Sequence, residues 1–376
     1  MDEYLIYENR NLIDSDSPVM HAIIIGIGAY PNAGDILDDL SSPSHSAREI
    51  ATWLLDCNLG SEQPYPLASL SLLISEDSPK EFKHISIPQP VIPKQPNSNN
   101  VKDAVSKWIR RADSNVQDLT FFYFCGHGVS NGISSQSLLL ADYNSDKYNP
   151  MDGAIDFKGF VRGMRRCAAS RQLYFIDACR NTAEIATDTE SKGHPLIAAN
   201  INRQHDGFVE PAIFYATVEG GMAYGKRNSI SYFTEALINC LRGIGSHDRG
   251  ADDKWRVSTG LLNQAIQYFL NTMHSTHDLL IQAQFSEFDF HVLKDEPDVL
   301  ILMSCNDGED NYRAIMECYR EGNLLEQRTH PLPEIWQIYK KPGQYDFLAK
   351  VDMSTGKKQA ILITPPYKCV NVEVLL

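Results

Sequence analysis

Apolar, strand-like runs that alternate with amphipathic helices constrain the fold of this 376-residue chain more than any other feature. Helical spacing of apolar residues predicts helices at 44–55, with Ser44 as N-cap, and at 101–112 and 157–167. The runs between them have the composition of strands buried on both faces, and they span 22–27, 70–74, 120–125, 173–177 and 212–217. Strand alternating with helix implies right-handed βαβ units, so we predict an α/β domain on a mainly parallel sheet.

The pattern changes near residue 295. Before this point, the segment 282–293, which ends in the alternation of Phe288, Phe290 and Val292, is predicted to close the sheet. After it, 312–321 reads as a helix, and the other apolar runs, at 300–303, 336–339, 345–351, 360–363 and 369–375, read as short strands. We therefore predict an N-terminal extension (1–19), an α/β domain (20–294) and a small, mostly β, sandwich-like domain (295–376).

Two reactive side chains follow two of the predicted strands. His127 comes just after 120–125, and Cys179 comes just after 173–177. Because the carboxyl ends of neighbouring parallel strands meet at one edge of a sheet, we expect His127 and Cys179 to lie side by side. A thiolate is a strong nucleophile, and an imidazole can take the thiol proton. The backbone amides of Gly128 and Cys179 could then hold the developing oxyanion.

A purely structural role is the alternative for each residue by itself. Cys179 could be a buried thiol, and His127 could bind only backbone in a Gly-rich turn. Their placement on two consecutive strand ends favours the chemical interpretation.

Both segments resemble the catalytic blocks of a known family. Phe124-Cys125-Gly126-His127-Gly128 and Ile176-Asp177-Ala178-Cys179-Arg180-Asn181 resemble those of caspase-like cysteine peptidases, closest to bacterial caspase-like proteins and metacaspases. The resemblance covers about residues 20–294. It implies a caspase-like sheet flanked by helices, with His127 as base and Cys179 as nucleophile. The amides of Gly128 and Cys179 would form the oxyanion hole, and no third carboxylate is needed.

The resemblance also implies substrate-binding residues. Asp177 would line the pocket for the residue before the cut and pair with Arg or Lys, whereas Cys125 would form a wall of that pocket. Ala216 and Thr217 would pair with the substrate backbone. The alternative for Asp177 is a strand-end carboxylate bonded to backbone. One departure from the family pattern weakens the expectation of basic specificity. Many metacaspases have a second pocket acid where this chain has Ser44-His45-Ser46-Ala47, which contains no acid.

Charge and composition bear on partners and location. The chain has 48 acidic and 34 basic residues and a net charge of -14, which argues against a nucleic-acid partner. No apolar stretch is long enough to span a membrane, and Met1-Asp2-Glu3-Tyr4 does not read as a signal peptide. The eight cysteines are scattered without a Cys-x-x-Cys pair, so we expect a reducing, cytoplasmic location.

We expect no metal and no cofactor. Asp35, Asp38 and Asp39 form an acidic loop that could bind Ca²⁺, as some metacaspases do, but the loop lacks EF-hand spacing. His274 and His277 lack an evident third ligand. The pair Gly26 and Gly28 lacks the third glycine of a dinucleotide-binding loop.

The leading hypothesis is a cysteine endopeptidase that cleaves protein or peptide substrates after Arg or Lys. The resemblance to bacterial proteins extends this hypothesis to a stress or antiviral defence response with an upstream activator protein. Self-cleavage or activation is a hypothesis for two loops: 181–210, with Lys192 and Arg203, and 242–256, with Arg242, Arg249, Lys254 and Arg256. The alternatives are a catalytically silent or partner-gated caspase-like interaction module, whose C-terminal β domain recruits a partner, and a nucleotide-binding α/β protein.

Overall fold

The computed structural model describes residues 2–130, 136–179, 192–199, 209–217, 227–247, 252–274, 280–329, 335–351 and 356–374. The chain divides into two compact units. The first consists of Met1–Ile238 and Ile266–His291, and the second of Asn239–Ala265 and Val292–Leu376. Each unit has its own apolar core.

The strands are numbered along the chain. They are β1 (Leu5–Glu8), β2 (Met20–Ile27), β3 (Leu67–Ser75), β4 (Leu119–Gly126), β5 (Gly128–Ser130), β6 (Gln136–Leu139), β7 (Ala154–Asp156), β8 (Arg171–Ala178), β9 (Glu210–Tyr215), β10 (Ser246–His247), β11 (Arg256–Ser258), β12 (Gln282–Phe285), β13 (Asp289–Val292), β14 (Val299–Cys305), β15 (Ile315–Arg320), β16 (Asn323–Arg328), β17 (Trp336–Lys340), β18 (Gly343–Lys350), β19 (Gln359–Ile363) and β20 (Tyr367–Val372).

The α-helices are numbered in the same way. They are α1 (Arg10–Ile13), α2 (Ser42–Cys57), α3 (Ser98–Ala112), α4 (Phe157–Met164), α5 (Tyr232–Asn239), α6 (Thr259–Met273) and α7 (Asp310–Arg313). Short 3-10 segments occur at Gly34–Ile36 and Pro150–Gly153, and a π-helical segment at Cys240–Ile244.

The first unit is built on a seven-stranded mixed sheet with the order β1-β3-β2-β4-β8-β9-β12. The five central strands run parallel, and β1 and β12 pair antiparallel at the two edges. The predicted α/β fold with a mainly parallel sheet is confirmed. Strands β2, β3 and β4 are buried along their whole length, which explains why their sequences are continuous apolar runs rather than alternating ones.

Helices cover both faces of this sheet. Apolar residues of α3, such as Trp108, pack in one core with Phe122 and Tyr174. On the other face, Ala47 of α2 packs so closely on Gly26 that a β-carbon there would lie 2.7 Å from it. Helix α2 begins at Ser42, with Ser41 as the N-cap, so Ser44 is a buried residue of the first turn and the predicted cap was wrong.

Three local predictions differ from the structure. Residues 5–8 lie in the predicted extension but form the edge strand β1. The segment 282–293 closes the large sheet through its first part, β12, as predicted, whereas its alternating part, in β13, is not part of that sheet. Residues 312–321 were predicted to be helical, but α7 ends at Arg313 and β15 follows, because Met316 and Cys318 alternate into the core with a period of two.

The second unit contains two sheets that share one core. One has the order β17-β14-β20 and the other β16-β15-β18-β19. Ile301 and Val370 from the first sheet cluster with Met316 and Phe347 from the second. This packing is a β-sandwich.

Candidate active site

His127 and Cys179 lie at adjacent positions on the carboxyl edge of the sheet. In the parallel pair β4 and β8, Cys125 is opposite Asp177 and Gly126 is opposite Ala178. The next residues after these two strands are His127 and Cys179. The structure therefore brings together the two residues that the sequence analysis singled out.

Tyr30 and Asp38 surround His127. The backbone N–H of His127 donates to Tyr30 Oη at 2.7 Å, and the two rings are 5.0 Å apart. His127 Nε2 lies 2.7 Å from the backbone oxygen of Asp38. A carbonyl oxygen only accepts, so this contact assigns the ring proton to Nε2 and leaves Nδ1 as the basic nitrogen of the neutral ring.

The protonation of His127 is controlled mainly by burial. Burial lowers the pKa of His127 below its ordinary value of 6.5, although the carbonyl of Asp38 and the charges of Asp38 and Asp39 act in the opposite direction. A lowered pKa keeps the ring neutral at pH 7, as a general base requires.

Cys179 is half-buried, directly after the last residue of β8, and it forms no disulfide. Its backbone oxygen accepts a hydrogen bond of 3.0 Å from Gln136 Nε2. Gln136 is buried in β6, within the small antiparallel sheet β5-β6-β7 that follows His127. The amide side chain thus ties the end of β8 to the hairpin that begins beside the histidine.

Gly128 allows the end of β8 and the start of the hairpin to approach each other closely. A β-carbon on Gly128 would lie 2.7 Å from the carbonyl oxygen of Cys179 and 3.0 Å from Ala178 Cβ. Both contacts are shorter than normal packing allows, so any side chain would push the hairpin away from Cys179. Glycine is required here for space.

Asp177 is 3% exposed and lies behind Cys179 on the same strand. Three side-chain donors surround its Oδ2 atom: Ser231 Oγ, Thr234 Oγ1 at 2.9 Å and Cys125 Sγ at 3.3 Å. Tyr123 Oη lies 3.4 Å from the same atom. These partners are side chains rather than the backbone groups of the alternative interpretation. Burial raises the pKa of Asp177, and the hydrogen bonds from Ser231 and Thr234 partly offset this effect.

A cavity of about 620 Å³ connects these groups. Its lining includes His127, Cys179, Asp177, Cys125 and Ser231. Cys125 is buried in the wall of this cavity, and burial raises the pKa of its thiol well above the ordinary value. A thiol with a raised pKa is a poor nucleophile at neutral pH.

Ala216 and Thr217 follow β9, the strand next to β8. Both are buried, and neither belongs to the lining of this cavity. The N–H of Ala216 already donates to the backbone oxygen of Ile176 at 2.9 Å. Thr217 Oγ1 is buried without a hydrogen-bond partner in the described part of the chain. Their pairing with a substrate stays a prediction.

The other sequence candidates do not form a site among the residues that the structure describes. Asp35 is exposed, and Asp39 accepts a hydrogen bond of 2.8 Å from the N–H of Tyr30. His274 Nε2 lies 3.2 Å from Glu235, while His277 is outside the described residues. Within the ranges that the structure describes, no group of three or more His, Cys, Asp or Glu residues could hold a metal ion, and no helix is long and apolar enough to cross a membrane.

Several residues around the site were missed by the sequence analysis. Tyr30, Gln136, Ser231 and Thr234 each belong to a segment remote in sequence from the residue that they contact, and none stands in a recognisable motif. Ser231 had one local signal: it precedes α5, and its Oγ accepts the N–H of Thr234 at 3.0 Å, as an N-cap does.

The chain is similar to a known domain family and to a bacterial protein. The family model of the caspase domain matches residues 19–254, well over half of the chain. An uncharacterised protein, y4kE of Sinorhizobium fredii (strain NBRC 101917 / NGR234), is 26% identical over 279 residues, which cover 71% of this chain and 77% of that protein.

Among solved structures, protein GSU0716 of Geobacter sulfurreducens aligns with a TM-score of 0.42 and 12% identity, over 72% of this chain and 93% of that one. Caspase-1 of Spodoptera frugiperda aligns with a TM-score of 0.43 and 11% identity, over 73% of this chain and 90% of that one.

Proposed function

Because the chain belongs to the caspase domain family, a family of cysteine-type peptidases, we propose that it is a cysteine endopeptidase with Cys179 as nucleophile and His127 as base. One observation carries the proposal. In the register of β4 and β8, Gly126 pairs with Ala178. His127 directly follows Gly126, Cys179 directly follows Ala178, and both line one cavity.

The reaction follows from the chemistry of these groups. His127 Nδ1 takes the proton of the Cys179 thiol, and the thiolate attacks the carbonyl carbon of the scissile peptide bond. The N–H groups of Gly128 and Cys179 hold the oxyanion of the tetrahedral intermediate. The imidazolium then protonates the leaving amine, and water hydrolyses the thioester on Cys179 with His127 again as base.

We further propose that the residue before the cut is basic. Asp177 is a buried carboxylate at the cavity, and no Lys or Arg among the described residues forms an ion pair with it. Burial of an unpaired carboxylate is unfavourable, so such a group is typical of a site that a cationic ligand completes. A Lys or Arg side chain of the substrate is that cation.

A thiol-reactive peptidyl ketone that ends in Arg or Lys tests the activity. The proposal predicts labelling that disappears in Cys179→Ala and persists in Cys369→Ala, which removes an exposed cysteine of the second unit. A peptide panel that varies only the residue before the cut tests the specificity, and efficient cleavage after Asp or Leu would contradict it. A folded protein that is never labelled, with any activator tried, would favour the interaction module instead.

The setting of this activity is also a proposal. The resemblance to bacterial proteins supports a cytoplasmic enzyme of a stress or antiviral response, switched on by an upstream activator protein. A phage challenge of cells that express the wild-type protein or Cys179→Ala tests this role. Equal survival of both strains would argue against it.

A further inference from the structure

The two oxygens of the Asp177 carboxylate have different surroundings. Oδ2 accepts from Ser231, from Thr234 at 2.9 Å and from Cys125 at 3.3 Å. Among the residues that the structure describes, no hydrogen bond ends on Oδ1. A ligand in the cavity therefore meets one free carboxylate oxygen and not two.

The groups that hold Oδ2 are themselves fixed. The N–H of Ser231 donates to Ser46 Oγ at 3.0 Å, and Ser231 Oγ accepts the N–H of Thr234. Thr234 Oγ1 lies 2.6 Å from Tyr123 Oη. A threonine hydroxyl has one proton, so the hydroxyl that donates to Asp177 must accept from Tyr123. Since Ser231 and Thr234 are buried, the carboxylate is held in one orientation.

The other acids that line the cavity do not supply a second oxygen at this position. Asp39 is exposed and accepts from Tyr30, and Asp77 is exposed. Glu76 is paired with Arg48 and accepts the N–H of Lys80 at 2.8 Å. Within the described residues, Asp177 is the one buried acid of the lining.

From this geometry we infer that the pocket accepts lysine at least as efficiently as arginine, and that Ser231 and Thr234 are specificity-determining residues because they occupy Oδ2. The inference rests on the proposed function. The advantage of arginine for a carboxylate is the paired contact of two N–H groups with two oxygens. An ammonium group is a compact charge that one oxygen can satisfy, and it leaves fewer buried donors without acceptors.

Kinetics with two peptides that differ only in Lys or Arg before the cut test the inference. The wild-type ratio of kcat/KM for Lys over Arg is expected to be one or higher. Thr234→Val removes one Oδ2 donor at nearly constant volume, and the ratio is expected to shift about threefold or more towards Arg. Thr120→Val is the matched control, because Thr120 is equally buried on β4, its hydroxyl lacks a partner in the described residues, and it does not line the cavity. This control should leave the ratio unchanged.

Two results would overturn the inference: a wild-type preference for Arg of tenfold or more, or a Thr234→Val enzyme that stays active with an unchanged ratio. Binding to the Cys179→Ala protein separates this inference from the proposed function. Peptide amides ending in Lys or Arg would be compared by fluorescence polarisation. Lys-selective or equal binding without any cleavage by the wild-type protein would refute the peptidase and retain the pocket, whereas binding of neither peptide would refute the pocket.

Discussion

Replacement of Asp177 by Asn should separate substrate recognition from folding. The three side-chain donors around the carboxylate, from Ser231, Thr234 and Cys125, converge on Oδ2. The amide oxygen of Asn can take this place and accept the same hydrogen bonds, which turns the amide NH₂ towards the cavity. The group that faces the substrate then changes from an anionic acceptor to a neutral donor, while the contacts with Ser231 and Thr234 stay satisfied.

The expected loss of kcat/KM follows from the loss of the ion pair between Asp177 and the substrate lysine. Removal of one partner of a buried ion pair costs about 3–5 kcal/mol. About 3 kcal/mol corresponds to a decrease of roughly a hundredfold or more in kcat/KM for a peptide with Lys before the cut. A peptide with norleucine at that position has no charge to lose, so its slow cleavage should change little.

The same replacement should raise the stability of the folded protein at neutral pH, although it lowers activity. Burial raises the pKa of Asp177 above its ordinary value of 3.8, so the folded state holds this proton more tightly than the unfolded state. Wild-type stability therefore falls as the pH rises from about 3.8 through the raised pKa, and it is lowest, with respect to this group, above that window. Asn resembles the protonated carboxyl, so the Tm of Asp177→Asn relative to wild type should increase over the same pH range.

Peptide kinetics and differential scanning fluorimetry at pH 4 to 8 measure the two effects. Cleavage of the Lys peptide within threefold of wild type would refute charge recognition by Asp177. A variant that is much less stable than wild type at pH 8 would refute the assignment of the hydrogen bonds to one oxygen.

Four further outcomes are expected. Gly128→Ala should reduce activity at least a hundredfold in a folded protein, because its β-carbon would lie 2.7 Å from the Cys179 carbonyl oxygen; near-native rates would contradict the close approach. Tyr30→Phe removes the acceptor of the His127 N–H, so it should lower the free energy of unfolding in urea by about 1–3 kcal/mol. Burial lowers the pKa of His127, so in wild type the acid limb of Cys179 alkylation, followed by mass spectrometry, should lie below pH 6.5, and a midpoint above 6.5 would count against it. Phe347→Ala, in the core of the second unit, should lower the free energy of unfolding by about 3–5 kcal/mol in the same assay.

The strands of the central sheet could be predicted from the sequence because burial on both faces leaves a local signal, a continuous apolar run. The elements that were missed lack that signal. Strand β1 is only four residues long and has one buried residue, Ile6, and β15 follows a short helix whose pattern extends into it. A window of sequence averages over such short changes of period.

His127 and Cys179 could be singled out because each follows a long apolar strand, and parallel pairing of neighbouring strands then places them together. Which donors surround Asp177 could not be predicted. Thr234 lies 57 residues from Asp177 along the chain, and the N–H of Ser231 is bound by Ser46, 185 residues away. Strand identity and the reactive residues were determined by the sequence itself, since hydrophobic periodicity is local. The tautomer of His127, the space at Gly128 and the hydrogen bonds that converge on one oxygen of Asp177 were decided only by tertiary packing, because they depend on distances between segments that are far apart in the sequence.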